Sequence, residues 1–531
     1  MVAATLCLVA ACISLAVYLL YHVLWLAPER LRAALRSQGI HCPKPSFPYG
    51  NLAEMRQLSS AAQAAIISKT TPAAAGDGDG DHHQRRSGIV HHYRPAVFPF
   101  YDKWRNDYGP VFSYSIGNMV FLHASRCDVV RDLSLCVSAS ELGKSSYMKA
   151  THRPLFGDGI LKSSGATWAR QRKLLAPEFF PDKVRAMVGL MVASATSLLV
   201  NSWQHRLDDA TASNNNNGGV VELKVDDDIR AYSADVISRT CFGSSSVMNN
   251  SKGERIFAVI RELQKAVAKP NLLAEMTGLS FLPTRSNRAA WRLNRLVRQL
   301  ILDIAKKEKD DDDENENINS SLLSAMLRKS SGEEDFDFVV DNCKNIYFAG
   351  YETTAVTAAW CMMLLALHPD WQDQVRHEVQ QACAHDVLDL AALQKMKKLT
   401  MVIQETLRLY PAGSVVSRQA LRDVTLGGVR VPAGVNIYVP VSTLHLDTDL
   451  WGADAAEFDP ARFADAAAAP RVPAVRRRRA HVPRPGVRHG RAQGPARARD
   501  LQVPPGTVSK IRARAGAQAH RRAGARRAPR A

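Results

Sequence analysis

The longest apolar pattern in the chain runs through residues 338–367 and ends just before a His-Pro pair. Beyond its polar first turns it is apolar on most faces and lacks proline, which predicts a buried central helix of about 30 residues. In its middle, residues 349–354 read Ala-Gly-Tyr-Glu-Thr-Thr. A glycine costs a helix about 1 kcal/mol relative to alanine, and a buried unpaired carboxylate costs more. A functional role for Gly350 and Glu352 would offset that cost; the alternative is a core helix with a packing glycine.

A second apolar stretch, residues 2–26, contains no Asp, Glu, Lys or Arg and is long enough to span a bilayer. Because no basic segment precedes it, an uncleaved anchor is favoured over a secretory signal peptide, with a buried hydrophobic hairpin as the alternative. Arg30, Arg32 and Arg36 follow the stretch, so the positive-inside rule predicts that the rest of the chain is cytosolic. The predicted divisions are an anchor (1–27), a proline-containing connector (28–51) that is stiff and extended around its prolines, a main domain (52–463) and a tail (464–531).

Helical and short strand patterns alternate through the main domain. Residues 111–116 and 119–123 predict a hairpin with Gly117-Asn118 at its turn, and residues 424–431 predict a second one. Helices are predicted at 168–175, 182–200, 228–242, 371–385 and 399–409. Low-complexity loops are predicted at 71–88, 214–219 and 310–319. The main domain should therefore be mainly α with a small β region.

Charge is distributed unevenly along the chain. The total is +18, but residues 464–531 hold 17 Arg and one Lys against two Asp, a net +16, so the first 463 residues carry only +2. The nine cysteines show no CxxC spacing, which fits a reducing compartment. His82-His83 and His91-His92 lie at and just beyond the end of the first low-complexity loop, where solvated histidines are favoured over a metal site.

Two further helical patterns place charged groups in register. Glu405 and Arg408 stand at i and i+3, close enough for an ion pair, and about 50 residues later Arg462 lies between aromatic residues. One buried glutamate facing two arginines would form a network that is stable only when fully satisfied. Trp168 and Arg172 stand at i and i+4, where both could donate to one anionic ligand; a surface helix with a half-buried tryptophan is the alternative.

Taken together and in this order, these motifs resemble the cytochrome P450 family of haem-thiolate monooxygenases, over about nine-tenths of the chain, from the anchor to Phe463. The resemblance implies a cytochrome P450 fold and a haem cofactor. It gives Glu352 and Thr353 a part in proton delivery during oxygen activation. Trp168, Arg172 and, more weakly, Arg418 would contact the haem propionates. Gly350 and the triad of Glu405, Arg408 and Arg462 would be structural.

Within the family, Gln38-Gly39-Ile40, Gly159-Ile160-Leu161 and residues 342–354 resemble the plant branch called clan 72, and most of all its gibberellin-oxidising subgroup. The resemblance implies an NADPH-cytochrome reductase as electron donor and a lipophilic substrate such as a gibberellin-like diterpenoid. It also implies a single-pass protein of the endoplasmic reticulum membrane with a cytosolic catalytic domain. Nucleic acid is not an expected partner.

The chain departs from the family after Phe463. The family's loop Phe-x-x-Gly-x-Arg-x-Cys-x-Gly should follow within about 20 to 30 residues by that resemblance, yet the last cysteine is Cys383, on the wrong side of the Glu405–Arg408 pair. The Arg/Ala/Pro-rich tail has no aromatic residue and cannot build a packed core, which predicts disorder. Reading the codons of residues 475–490 one nucleotide later permits Phe-Gly-Ala-Gly-Gly-Arg-Thr-Cys-Leu-Gly-Gln-Ala-Phe-Ala-Met, which supplies the missing loop.

A shifted reading frame or gene-model error is therefore favoured over a genuine basic arm. The chain should be a haem-dependent monooxygenase by family but inactive as it stands, because the thiolate that holds the iron is missing. The alternative is a non-catalytic, membrane-anchored protein whose basic tail binds RNA or anionic lipid.

Overall fold

The computed structural model describes residues 2–70, 91, 93–136, 140–212, 221–243, 252–268, 282–312, 321–328, 336–383, 388 and 390–464. The helices before residue 244 are α1 (Val2–Tyr21), α2 (Ala27–Arg36), α3 (Leu52–Thr70), α4 (Arg94–Val97), α5 (Pro99–Tyr108), α6 (Cys127–Leu135), α7 (Ser146–Thr151), α8 (Arg153–Phe156), α9 (Gly165–Leu175), α10 (Pro181–Ala186), α11 (Val188–Ala195), α12 (Ser202–Ala212) and α13 (Val225–Phe242). Those that follow are α14 (Lys252–Val267), α15 (Arg285–Asp312), α16 (Leu322–Arg328), α17 (Phe336–Leu367), α18 (Pro369–Ala382), α19 (Leu390–Lys395), α20 (Lys397–Leu409), α21 (Val441–His445) and α22 (Thr448–Trp451).

The strands within the described residues form one sheet of five and one of two. They are β1 (Val111–Ile116), β2 (Met119–Ala124), β3 (Leu142–Gly143), β4 (Val415–Ala420), β5 (Val424–Leu426), β6 (Val429–Val431) and β7 (Asn436–Pro440). The larger sheet has the order β1-β2-β7-β4-β3, with β2 and β7 parallel and the other pairs antiparallel, and β5 pairs with β6. Both predicted hairpins are confirmed, and Gly117 adopts a positive φ of 61° at the first turn.

The N-terminal helix continues without a break from the apolar stretch into the globular domain. A π-helical turn (His22–Leu26) joins α1 to α2, and Arg32 of α2 is buried. Arg32 forms an ion pair with Glu29 at 2.7 Å and donates to Ser115 Oγ of β1 at 3.1 Å. The predicted connector 28–51 therefore begins as a helix, and only its part after Arg36 runs without one. Among the described residues, two helical stretches are long and apolar enough to cross a membrane, Ala4–Arg36 and Asp182–Asp209. The most apolar 18-residue window of the first contains no buried residue.

The central helix α17 lies in the main apolar core and packs most extensively against α13. It begins two residues before the predicted start and ends at the predicted Leu367. A second core cluster surrounds the sheet, where Ile40 and Leu35 of the N-terminal segment pack against β2, β4 and β7. The predicted class, mainly α with a small β region, is confirmed.

Some local predictions fail or fall outside the described residues. The loop predicted at 310–319 is wrong at its start, because α15 continues through Asp312. His91 is not a solvated loop residue: it is buried, and its Nδ1 lies 2.6 Å from Tyr410 Oη. The predicted loops at 71–88 and 214–219, His82-His83, His92, residues 384–387 and the tail from 465 lie outside the described residues.

Candidate functional site

The polar interruption of the central helix divides into groups that face different neighbours. A Cβ added at Gly350 would lie 2.6 Å from the end of the Ile237 side chain on α13, so the glycine allows the two helices to approach closely. Glu352 also faces α13, where Arg230 Nη1 donates to its Oε2 at 2.6 Å. Arg230 also forms an ion pair with Asp226, with Nε 3.1 Å from Oδ2. The sequence predicted a buried carboxylate at Glu352, but the structure shows one that is partly exposed and paired with Arg230. Gly350 allows close helix packing, which was the alternative to a functional role.

Thr353 points away from these contacts and is exposed. Its Oγ1 donates to the Ala349 carbonyl one turn earlier at 2.7 Å, and Thr357 Oγ1 donates in turn to the Thr353 carbonyl at 2.8 Å. Hydroxyls that bond back to the preceding turn are held in one rotamer while their oxygen can still accept a hydrogen bond. Thr353 therefore presents a fixed hydroxyl on an open face of α17.

Trp168 and Arg172 lie on one face of α9, as their spacing predicts. The guanidinium carbon of Arg172 lies 5.4 Å from the centroid of the Trp168 ring, within cation–π distance. Arg172 is exposed, and Trp168 is half-buried. Their functional role stays a prediction, but the contact holds the guanidinium on a defined side of the helix.

Two further cations lie near Arg172. Arg418 of β4 and Lys144, which follows β3, are half-buried, and β3 and β4 are paired strands. Burial lowers the pKa of Lys144 to about 8, assisted by the positive charges of Arg418 and Arg172. Burial also lowers the pKa of Arg418. Within the described part of the chain, none of the three forms an ion pair with a carboxylate, and such a cluster is suited to a ligand with two acidic groups.

Lys144 was missed by the sequence reasoning. It stands in no motif, and its only signal in the sequence is a lysine next to a glycine in a short segment of strand character. The pairing of β3 with β4 brings it to Arg418, which is 274 positions later in the chain. Pairing between strands so distant in sequence is not visible from local pattern.

Glu405, Arg408 and Arg462 come together at the end of α20. Arg408 donates from Nε and Nη2 to the two carboxylate oxygens of Glu405, both at 2.6 Å, and both side chains are fully buried. The remaining donors of Arg408 reach the carbonyls of His445, Ala455 and Glu457. Arg462 Nε lies 3.7 Å from Glu405 Oε1. The network joins α20 to the segment that ends at Phe463.

The cation cluster of Lys144, Arg172 and Arg418 fits the propionates of a haem, but the cysteines of the chain do not fit its iron. The three-cation cluster provides donors for two propionates. For the iron, the donor chemistry is wrong, because the sequence has no cysteine after Cys383 and the buried cysteines Cys241, Cys343 and Cys361 pack in apolar core clusters. Burial raises the pKa of Cys241 to about 12 and also raises that of Cys361, so these remain thiols at neutral pH. These buried core cysteines therefore offer the iron no thiolate ligand at neutral pH.

Comparison with known proteins agrees with this geometry. The family described as Cytochrome P450 matches residues 87–483. Cytochrome P450 714B1 of Oryza sativa subsp. japonica is 65% identical over 472 residues, covering 86% of this chain and 83% of that relative. Cytochrome P450 714B3 of Zea mays is 58% identical (87% and 82% covered), and Cytochrome P450 714A2 of Arabidopsis thaliana is 35% identical (82% and 79% covered).

Because the family matches most of the chain, and the chain is similar to these relatives across about four-fifths of their length, the chain belongs to the cytochrome P450 family of haem-dependent monooxygenases, which typically are membrane-anchored and act on lipophilic substrates with a reductase partner.

Proposed function

We propose that this gene encodes a monooxygenase of the endoplasmic reticulum membrane that oxidises a gibberellin-like diterpenoid with electrons from an NADPH-cytochrome reductase. The haem part of the proposal is carried by the cluster of Lys144, Arg172 and Arg418. The substrate class is supported by likeness to the relatives of the 714 group and by the motifs shared with the gibberellin-oxidising subgroup. The single-pass topology is supported by the continuous apolar helix and the arginines that follow it.

When bound, haem supplies the oxygen chemistry, and the residues of the chain bind, orient and exchange protons around it. Trp168, Arg172, Arg418 and Lys144 would hold the propionates through charge-assisted hydrogen bonds. In a version of the chain that carries the thiolate, the fixed hydroxyl of Thr353 would take part in proton delivery, as the family resemblance implies. Glu352 would exchange protons with the site only after leaving Arg230, because that ion pair turns the carboxylate toward α13.

We further propose that the chain as given is inactive, because it lacks the thiolate ligand. A reading frame shifted between Phe463 and residue 475 would account for the loss, since the adjacent frame of residues 475–490 can encode a complete cysteine loop. Sequencing the transcript across this region tests the origin of the tail: an intact frame that still encodes the arginines would refute the shifted-frame explanation.

The test of function compares the chain with a version in which the adjacent frame is restored. Each is co-expressed with a reductase and supplied with NADPH and a panel of diterpenoids, and products are followed by mass spectrometry. The restored version should convert at least one gibberellin-type substrate to a product with one added oxygen, and the chain as given should convert none. A restored version that binds haem but oxidises only unrelated lipophiles would contradict the substrate class.

A second function is favoured by one observation, the net charge of +16 in residues 464–531. If the basic tail is genuine, the protein should bind RNA or anionic vesicles in a salt-sensitive manner, and deleting residues 464–531 should abolish that binding. Binding that survives the deletion, or that is insensitive to salt, would exclude this function.

A further inference from the structure

A short loop, residues 157–164, connects α8 to α9 and is held by side chains of the central helix. Asn342 Oδ1 accepts from the Ile160 N–H at 3.0 Å, and Asn345 Oδ1 accepts from the Leu161 N–H at 2.9 Å. Both asparagines are fully buried. Asn345 also donates from Nδ2 to the carbonyl of Phe156, at the end of α8, at 2.7 Å. Buried amides with several such bonds fix the backbone that they contact.

The loop lies against α17 because two of its positions have no side chain. Asp341 Oδ2 accepts from the Asp158 N–H at 2.8 Å, and a Cβ on Gly157, whose φ is 52°, would lie 2.1 Å from the Asp341 carboxylate. A Cβ on Gly159 would lie 2.4 Å from Asn345 Nδ2. The loop therefore contacts α17 closely over a little more than one helical turn, from Asp341 to Asn345.

On its other side, the same loop is bonded to the elements that bear the cation cluster. Ser164 Oγ, immediately before α9, accepts from the Lys144 N–H at 2.9 Å. Gln171, the neighbour of Arg172 on α9, donates to the Asp158 carbonyl at 2.9 Å. The loop is thus the link between the first third of the central helix and both Lys144 and Arg172.

We propose that Asn342 and Asn345 are positioning residues, which act through this loop to hold Lys144 and Arg172 where two ligand carboxylates bind. Like charges repel, so a cluster without a bound anion converges only if the backbone that bears it is fixed. A backbone that is already ordered loses little conformational entropy when the ligand binds. The inference rests on the proposed haem function, since the ligand it serves is the propionate pair.

The test measures porphyrin affinity with the full chain in detergent. The probes are metal-free protoporphyrin IX, which bears two carboxylates, and its dimethyl ester, which bears none that can ionise. The variants are Asn345→Leu, Asn345→Asp, which keeps an oxygen opposite the Leu161 N–H, and Asn342→Ser. The control is Tyr347→Phe, on the same helix and equally buried, whose hydroxyl contacts Ser238 of α13.

The chain should bind the diacid more tightly than the ester. Asn345→Leu should weaken diacid binding about tenfold, at the low end of what losing an outer-shell partner costs a ligand site, and leave ester binding unchanged. Asn345→Asp should recover part of the loss, and Tyr347→Phe should behave as the parent chain. An effect on both probes alike would indicate general destabilisation and overturn the positioning role.

The two proposals fail in different ways. If the chain prefers the diacid but the asparagine variants keep that preference, the positioning role is wrong and the cation cluster stands. If the chain binds diacid and ester equally, the carboxylate site itself is wrong, and the positioning role falls with it. Should Asn345→Leu not fold, Asn345→Asp and Asn342→Ser decide the matter, because a retained preference of parental size in both would overturn the inference.

Discussion

Replacing Arg408 by Met should destabilise the protein more than replacing Arg462, the other arginine of the triad, by Met. The change leaves Glu405 fully buried without its bidentate partner, and removing one member of a buried ion pair costs about 3 to 5 kcal/mol. The carbonyls of His445, Ala455 and Glu457 also lose their donor, at about 1 kcal/mol each when such losses are independent. Because neighbouring losses are not additive, we expect a total of about 5 kcal/mol.

The assay follows reaction of a maleimide dye with the buried core cysteines, such as Cys343, across a denaturant titration of the full chain in detergent. Arg376→Met is the matched control, because Arg376 forms an i,i+3 ion pair with Asp373 at the surface, where the side chains are 35% and 63% exposed. Its loss should change stability by at most about 0.5 kcal/mol.

A double variant, Arg408→Met with Glu405→Leu, should recover part of the lost stability, because no uncompensated charge then remains in the core. Equal stability of Arg408→Met and Arg376→Met would refute the claim that the buried pair stabilises this part of the fold.

Two pH effects follow from burial. Affinity for protoporphyrin IX should be constant below about pH 8 and fall above it. The reason is that Lys144 loses its charge above this pH in the ligand-free protein, whereas a bound carboxylate favours the charged form. The Lys144→Met variant should bind protoporphyrin IX more weakly at about pH 7 and should not show this fall. His91 has its pKa lowered to about 4, first by burial and then by the charges of His368 and Arg408, so the unfolded chain takes up its proton first as pH falls. Stability should therefore decline from about pH 6.5 toward pH 4 by about 3 kcal/mol, and His91→Gln should remove that part of the decline.

One result would contradict each of these two pH predictions. Diacid affinity that falls equally above pH 8 in the parent chain and in Lys144→Met would show that another group titrates. Identical acid denaturation curves for the parent chain and His91→Gln would show that His91 is already charged in the folded protein or is not buried at Tyr410.

Local pattern predicted the features that depend on neighbours in sequence. The central helix, both hairpins, the Glu405–Arg408 pair and the shared face of Trp168 and Arg172 are all set by spacing within one element, and the structure has each of them. These features depend on helix or strand periodicity, which is visible in a few residues of sequence.

What could not be predicted depends on packing between distant elements. Glu352 meets Arg230, which is 122 positions earlier, and Gly350 meets Ile237 of the same helix α13. Lys144 joins the cation cluster only through the pairing of β3 with β4. The burial of His91 likewise depends on Tyr410, so its position after a low-complexity segment was a misleading signal.

The most direct test of the central claim is the reduced carbon-monoxide difference spectrum of the full chain, measured beside the frame-restored version. A chain that keeps the cation cluster but lacks the thiolate should give no thiolate-type Soret band, whereas the restored version should give one under the same conditions. A normal thiolate-type band from the chain as given would contradict the account, because one of its existing cysteines would then have to ligate the iron.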